Sequence, residues 1–311
     1  MEAQAKLTPE GLLADPSLSS RTIRRTRTVW FVRFGKGVIF ALLSLLAVTM
    51  LLPYFFTLSA SFKTESEFLL NIYQPWPQEW VTENFQEAVD PYRGRMGFYV
   101  RNSAVYAAAT LLIQLFINAF AAFAFARLRF PGRDFMFIMV LATMMLPFSV
   151  MLIPVYLIVH WMGLAGPTYG ALGNMLGVVL PSFASGFGIF MLRQFFLNQS
   201  AELEEAALID GAGWFRVFWT ISLPLARPAL VALGIFIIVS EWSSFIWPLI
   251  VLDNWDLFPI TVGLSMYKDL QYDNWTGTFA ASVVGTAPLV VVFLILQRQI
   301  VGGIQLTGLK G

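Results

Sequence analysis

The chain has 311 residues, 57% of them hydrophobic and 13% charged, which is too apolar for a soluble globular domain and favours a membrane protein. Its net charge of +1 supplies neither the basic surface that nucleic acid demands nor an acidic tail. With no cysteine and a single histidine, His160, disulfides, thiolate catalysis and Cys- or His-rich metal sites are excluded.

Residues 1–36 carry Pro9, Pro16, a Ser-Leu-Ser-Ser stretch and clustered arginines, and read as a flexible or peripherally helical tail. A spanning helix needs about 20 largely apolar residues, because the hydrocarbon core is about 30 Å thick. Six segments of an all-α domain over residues 37–301 meet that need: Val38–Ala60, Tyr99–Ala126, Phe135–Val159, Tyr169–Leu192, Ala229–Leu252 and Ala280–Gln297. The first run is too long for a signal peptide, and a polar stretch precedes it. With the N-terminus inside, fifteen lysines and arginines fall on the cytoplasmic side and five outside (Lys63, Arg93, Arg95, Arg101 and Lys268), so both termini are expected in the cytoplasm.

The outside loops differ. The stretch from Ser61 to Phe98 is long and aromatic, with Tyr73, Trp76, Trp80 and Tyr92; the one from Asp253 to Phe279 holds four aspartates with Trp255, Tyr267, Tyr272 and Trp275. Such aromatics suit an interfacial belt, a docking surface for a partner protein, or stacking on a sugar. Prolines interrupt five of the predicted spans, at Pro53, Pro147, Pro154, Pro181, Pro248 and Pro288, and each is expected to favour a kink. Gly173–Gly177 and Ser182–Gly186 are small-xxx-small patterns suited to close helix packing. Glu241 is the most anomalous residue in the spans, since a carboxylate at bilayer depth is expensive and usually faces a cavity or a partner. It is a candidate for the wall of a solute pathway, with Trp242 and Phe245 offering ring faces; a neutral, hydrogen-bonded acid and a pairing with another subunit are the alternatives. Asn118 is a further pathway candidate, and Asn118, Gln114 and Asn174 equally suit helix packing.

Residues 198–228, between spans four and five, carry the strongest signal. Ser200 is placed to cap a helix near whose first turn Glu202, Glu204 and Glu205 complement the helix dipole, although Leu203 occupies the position where a capping box wants Glu or Gln. Gly211 and Gly213 interrupt that helix and permit a sharp turn or positive φ. Trp214, Phe215, Val217, Phe218 and Ile221 give a second apolar helical face that Pro224 is expected to close. An amphipathic helix–turn–helix of this kind suits a partner's groove.

Glu205-Ala206-Ala207, then Gly211, then Ile221-Ser222-Leu223-Pro224 resembles, without a gap, the EAA-loop signature of bacterial ABC-importer permeases. Glu241-Trp-Ser-Ser-Phe-Ile-Trp-Pro-Leu249 is similar to the Trp-Asn-x-Phe-x-x-Pro-Leu element of carbohydrate importer permeases, with Ser243 in place of Asn. The tail Gly302–Gly311 is similar to that of the second permease of maltose-type importers, and the likeness covers nearly everything from Val38 onward. The resemblance implies a six-span permease of the bacterial inner membrane that imports a carbohydrate by alternating access. It further implies a homologous permease subunit, two cytoplasmic ATPase subunits that bind ATP and Mg, and an extracytoplasmic solute-binding protein as partners. Carried over, Glu205, Ala206, Ala207, Gly211, Ile221, Leu223 and Pro224 are the ATPase-coupling residues. No G-x-x-x-x-G-K-[ST] stands in the chain, so no ATP site of its own is expected. An importer of an osmolyte or phosphate ester and a secondary transporter are the alternatives; no internal repeat supports the latter.

Overall fold

The computed structural model describes residues 16–166, 170–270 and 274–308. The first fifteen residues of the predicted tail, the predicted start of span four at Tyr169, Tyr272 and the last three residues lie outside the described residues. The chain divides into two units, residues 1–57 and 58–311.

The first unit is formed by helix α1 (Pro16–Ala60), which continues to its end in the second. From Val38 to Leu52 its large apolar side chains are exposed, a pattern suited to hydrocarbon rather than water. Pro53 does not interrupt the helix. The Thr57 hydroxyl donates back to the Pro53 carbonyl at 2.9 Å.

The second unit begins with two short helices, α2 (Glu65–Leu70) and α3 (Glu83–Val89), in the long loop after α1. Buried polar groups fasten this loop. Lys63 Nζ donates to the Gln74 carbonyl at 2.6 Å, and Asn84 Nδ2 donates to the carbonyls of Ser61 and Lys63 at 3.0 and 2.9 Å. The backbone N–H of Thr276 donates to Glu65, which joins the loop to the start of the last helix.

Helix α4 (Met96–Arg127) is the long central element, buried on one side along its length. After it the chain forms broken pairs. Helices α5 (Arg133–Thr143) and α6 (Phe148–Trp161) are bent by 104° across Met144–Pro147. Helix α7 (Gly170–Val179), extended by a 3-10 turn at Leu180–Ser182, meets α8 (Gly186–Asn198) at 49°. The elbow segment follows as α9 (Ala201–Ile209), α10 (Trp214–Val217), a π-helical turn (Phe218–Ser222) and α11 (Leu223–Leu225). Helix α12 (Arg227–Trp242) then leaves α11 at 75°. Beyond Ser243–Phe245 come α13 (Ile246–Val251), α14 (Ile260–Leu270) and α15 (Trp275–Gly308).

Three described helices are thus long and apolar enough to cross a membrane unaided, and up to six crossings result if each bent pair counts as one. Spans one, two and six are continuous as expected, whereas the predicted third, fourth and fifth are not. The fifth stops at Ser243 and resumes at Ile246, so α12 has 16 residues, short of a full crossing. Proline is only part of the reason. Pro154 and Pro288, like Pro53, sit inside unbroken helices, while Pro147, Pro181 and Pro248 stand at or just beyond breaks. A helix stays broken in an apolar setting only where its freed backbone groups find other partners. Here they do. Gln114 Nε2 donates to the Ser182 carbonyl at 2.5 Å, and the Thr261 hydroxyl donates at 2.5 Å to the Ser244 carbonyl, which Pro248 cannot serve.

The segment 253–279, read from sequence as a loop, contains α14. Ile260, Val262 and Tyr267 are buried, and Gly263 lies so close to the Tyr99 ring that a Cβ would stand 2.0 Å from it. The preceding turn is sewn to the start of α4. Asn102 Nδ2 donates to the carbonyls of Asp256 and Phe258 at 2.7 and 3.0 Å, Tyr106 donates to the Leu257 carbonyl at 2.8 Å, and Arg95 pairs with Asp256.

Candidate functional site

The elbow is built from local rules. Ser200 Oγ accepts the N–H of Glu202 at 3.3 Å and caps α9, as its position in the sequence indicates. At the other end Ala212 N–H donates to the Ala207 carbonyl at 2.9 Å, and Gly211 N–H donates to the Leu208 carbonyl at 3.1 Å. These two bonds form a Schellman motif, whose turning residue must be left-handed; Gly211 supplies φ +86°. Gly213 has φ −79° and caps α10 in an extended conformation open to any residue, so only the first glycine is needed for its geometry.

Pro224 does not close the second arm as expected. The arm runs one residue past it, to Leu225, with Ala226 as its cap. A wide π turn at Phe218–Ser222 precedes this proline.

Two consecutive acids take opposite sides of α9. Glu205 is exposed, as are Ala206, Leu203 and Ile209, which together make an outer face of one acid among apolar groups. Glu204 is 3% exposed. Its Oε2 lies 2.7 Å from Arg127 Nε at the end of α4, a charge contact rather than an aligned hydrogen bond, and its Oε1 accepts from the Ser222 hydroxyl at 2.9 Å. Arg127 Nη2 donates to the Gln199 carbonyl at 2.9 Å, and Gln199 Nε2 donates to the Ser222 carbonyl at 3.1 Å. The four residues therefore close a ring that joins α4, the start of α9 and the second arm. Sequence reasoning missed this ring, counting Arg127 only as a topogenic charge and Glu204 only as a dipole partner.

Aromatic packing adds to the attachment. Phe218 lies 4.4 Å from Phe120 and 5.1 Å from Phe123 between ring centroids, both on α4. Of the predicted coupling residues, Glu205, Ala206, Gly211 and Pro224 are exposed. Ala207, Ile221 and Leu223 are half-buried, with Ala207 and Leu223 packed against the core that α4 and α8 share. A cleft of about 780 Å³ opens beside the elbow, lined by Arg127, Arg129, Phe130, Glu205, Leu208 and Trp214 among others.

The second set of predicted residues lies where the helix breaks meet. A Cβ on Gly186 would stand 2.7 Å from Met144 Cγ, the Phe148 and Trp247 rings meet edge-on at 6.0 Å, and Trp247 Nε1 donates to the Val178 carbonyl at 3.2 Å. Glu241 is half-buried here, beside Ser182. Phe245, at the cap of α13, is exposed.

The other two pathway candidates face elsewhere. Trp242 is buried, and its indole N–H donates to the Gly285 carbonyl of α15 at 3.1 Å. Asn118 is fully buried; its Oδ1 accepts the Ser185 N–H at 3.1 Å, and Gly188 packs so tightly on it that a Cβ would stand 2.2 Å from Nδ2. Neither wall position is available to these two side chains in this conformation. Among the described residues no group of three or more His, Asp or Glu could hold a metal ion.

The family model described as binding-protein-dependent transport system inner membrane component matches residues 114–305, a stretch that holds the elbow and all three breaks. The chain is 32% identical over 268 residues, 85% of each protein, to the diacetylchitobiose uptake system permease protein NgcG of Streptomyces coelicolor. It is 32% identical over 259 residues, 81% of this chain and 89% of the relative, to the sn-glycerol-3-phosphate transport system permease protein UgpE of Brucella abortus. In fold it is similar to a chain of a bacterial ABC transporter involved in the import of the acidic polysaccharide alginate, with a TM-score of 0.73 and 22% identity over 86% of this chain and 96% of that one.

Proposed function

This chain belongs to the family of binding-protein-dependent transport system inner membrane components, and from that premise we propose that it carries a sugar, in particular an oligosaccharide, through the inner membrane as one of two homologous permeases. Two ATPase subunits with ATP and Mg drive the cycle from the cytoplasm, and an extracytoplasmic binding protein delivers the cargo. The observation that carries this reading is the outer face of α9, where Glu205, Ala206 and Ile209 are exposed while the inner face is locked to the body. In this reading that face docks in a groove of the ATPase, and Gly211 sets the angle at which the second arm leaves it.

Both termini and the elbow lie in the cytoplasm in this proposal, supported by the excess of arginine and lysine on that side. The sugar assignment is supported by the diacetylchitobiose relative. The glycerol-phosphate relative favours a phosphate ester instead, but Glu241, the acid beside the meeting breaks, is a poor neighbour for an anion. Glu241 and Phe245 remain the proposed pathway residues, the first as a hydrogen-bonding partner for hydroxyls and the second as a ring face.

The test is ATP hydrolysis by the reconstituted complex, with its binding protein, across a panel of neutral oligosaccharides and sn-glycerol-3-phosphate. Stimulation by a neutral sugar alone is expected. Stimulation by the phosphate ester alone would replace the cargo, and uptake that persists without any ATPase subunit would overturn the coupling.

A further inference from the structure

We propose that Arg127 and Glu204 are positioning residues that carry displacement of the elbow into α4, a reading that rests on the docking of α9 proposed above. The two charges stand 77 positions apart in the chain; Glu204 is buried and Arg127 half-buried. Ser222 completes the ring from the second arm, so α9, α10–α11 and the end of α4 meet at one carboxylate.

A buried ion pair is a poor way to gain stability, because desolvation offsets much of its attraction, and apolar residues of similar volume often serve as well. What the pair supplies is a fixed geometry: each charge is costly anywhere except opposite the other. Apolar contacts such as those of Ala207 and Leu208 tolerate sliding, whereas the carboxylate–guanidinium contact does not. The load-receiving helix is also well placed to pass motion on, since α4 shares one continuous core with α8 and α12 through Phe123, Leu192 and Leu233. Glu204 and Glu205 thus divide the work: the outward acid engages the partner, and the inward one holds the elbow in register with the body.

The experiment uses the cysteine-free chain in its assembled complex with the ATPase, spin-labelled at Ala201→Cys on α9, outside the docking face, and Leu112→Cys on α4, both exposed positions. Distances are read without nucleotide and after trapping with ADP–vanadate. With Arg127 and Glu204 intact, a single narrow distance that does not change on trapping is expected. In the double variant Arg127→Met/Glu204→Leu, which removes both charges and leaves neither unpaired, the ATPase stays bound and the distance shifts or broadens on trapping. The swapped pair Arg127→Glu/Glu204→Arg restores the narrow distance. An unchanged narrow distance in the double variant would overturn the proposal, as would loss of the ATPase from that variant, which would make Glu204 a docking residue. Failure of the docking reading shows separately, as an ATPase that stays bound when Glu205 is replaced by Arg.

Discussion

Trp242 donates its indole N–H to the carbonyl of Gly285, 3.1 Å away on α15, and so ties α12 to the last helix from a buried position. A tryptophan in the middle of a sugar-permease-like motif invites a stacking role, but this one is committed to packing. Trp242→Phe keeps a ring and removes the donor. It is expected to lower the thermal stability of the detergent-solubilised protein by about 1 kcal/mol and to leave the sugar concentration for half-maximal uptake unchanged. A large rise in that concentration would restore Trp242 to the pathway.

Gly211 and Gly213 should separate sharply. Gly211 sits at φ +86°, where a side chain costs about 1–2 kcal/mol; Gly211→Leu is expected to abolish solute-stimulated ATP hydrolysis while the protein still inserts in the membrane. Gly213→Ala, at an ordinary φ of −79°, should retain at least half of the wild-type rate.

The adjacent acids give a second contrast. Glu204→Ala leaves the half-buried Arg127 without its charge partner, and the expected loss of stability is about 1–3 kcal/mol, read as a drop in the midpoint of thermal unfolding. Glu205→Ala removes an exposed carboxylate and should shift that midpoint little. Its effect is expected in the amount of ATPase that co-purifies.

Close packing predicts a third pair of outcomes. A Cβ on Gly188 would meet Asn118 at 2.2 Å, and one on Gly263 would meet the Tyr99 ring at 2.0 Å. Gly188→Ala and Gly263→Ala should each destabilise the protein by about 1–3 kcal/mol. Gly132→Ala has open space around its Cβ but a φ of +78°, so its smaller cost comes from the backbone alone.

Much of this was legible before any coordinates. Uniform apolar runs gave α1, α4 and α15, because length and composition alone decide whether a helix suits hydrocarbon. Ser200 and Gly211 were readable as cap and turn since both act through the local backbone. The broken spans were not. Pro53, Pro154 and Pro288 pass through intact helices, and the difference at Ser182 and Ser244 depends on Gln114 and Thr261, donors far away in sequence. The inward turn of Glu204 was hidden for a similar reason. In a helix that opens with three acids in its first five residues, nothing local distinguishes the one that meets Arg127. Helix α14 escaped notice because its segment mixes acids, aromatics and glycine with few contiguous apolar residues.

The sewn breaks have a consequence for motion. Opening Leu180–Ser185 or Ser243–Phe245 as hinges would strip the Ser182 carbonyl, the Ser185 N–H and the Ser244 carbonyl of Gln114, Asn118 and Thr261. These two bends therefore behave as welded corners. The helices joined there travel as rigid bodies, and a change of access has to come from slippage between bodies or from the corner at Met144–Pro147, which carries no such stitch among the described residues.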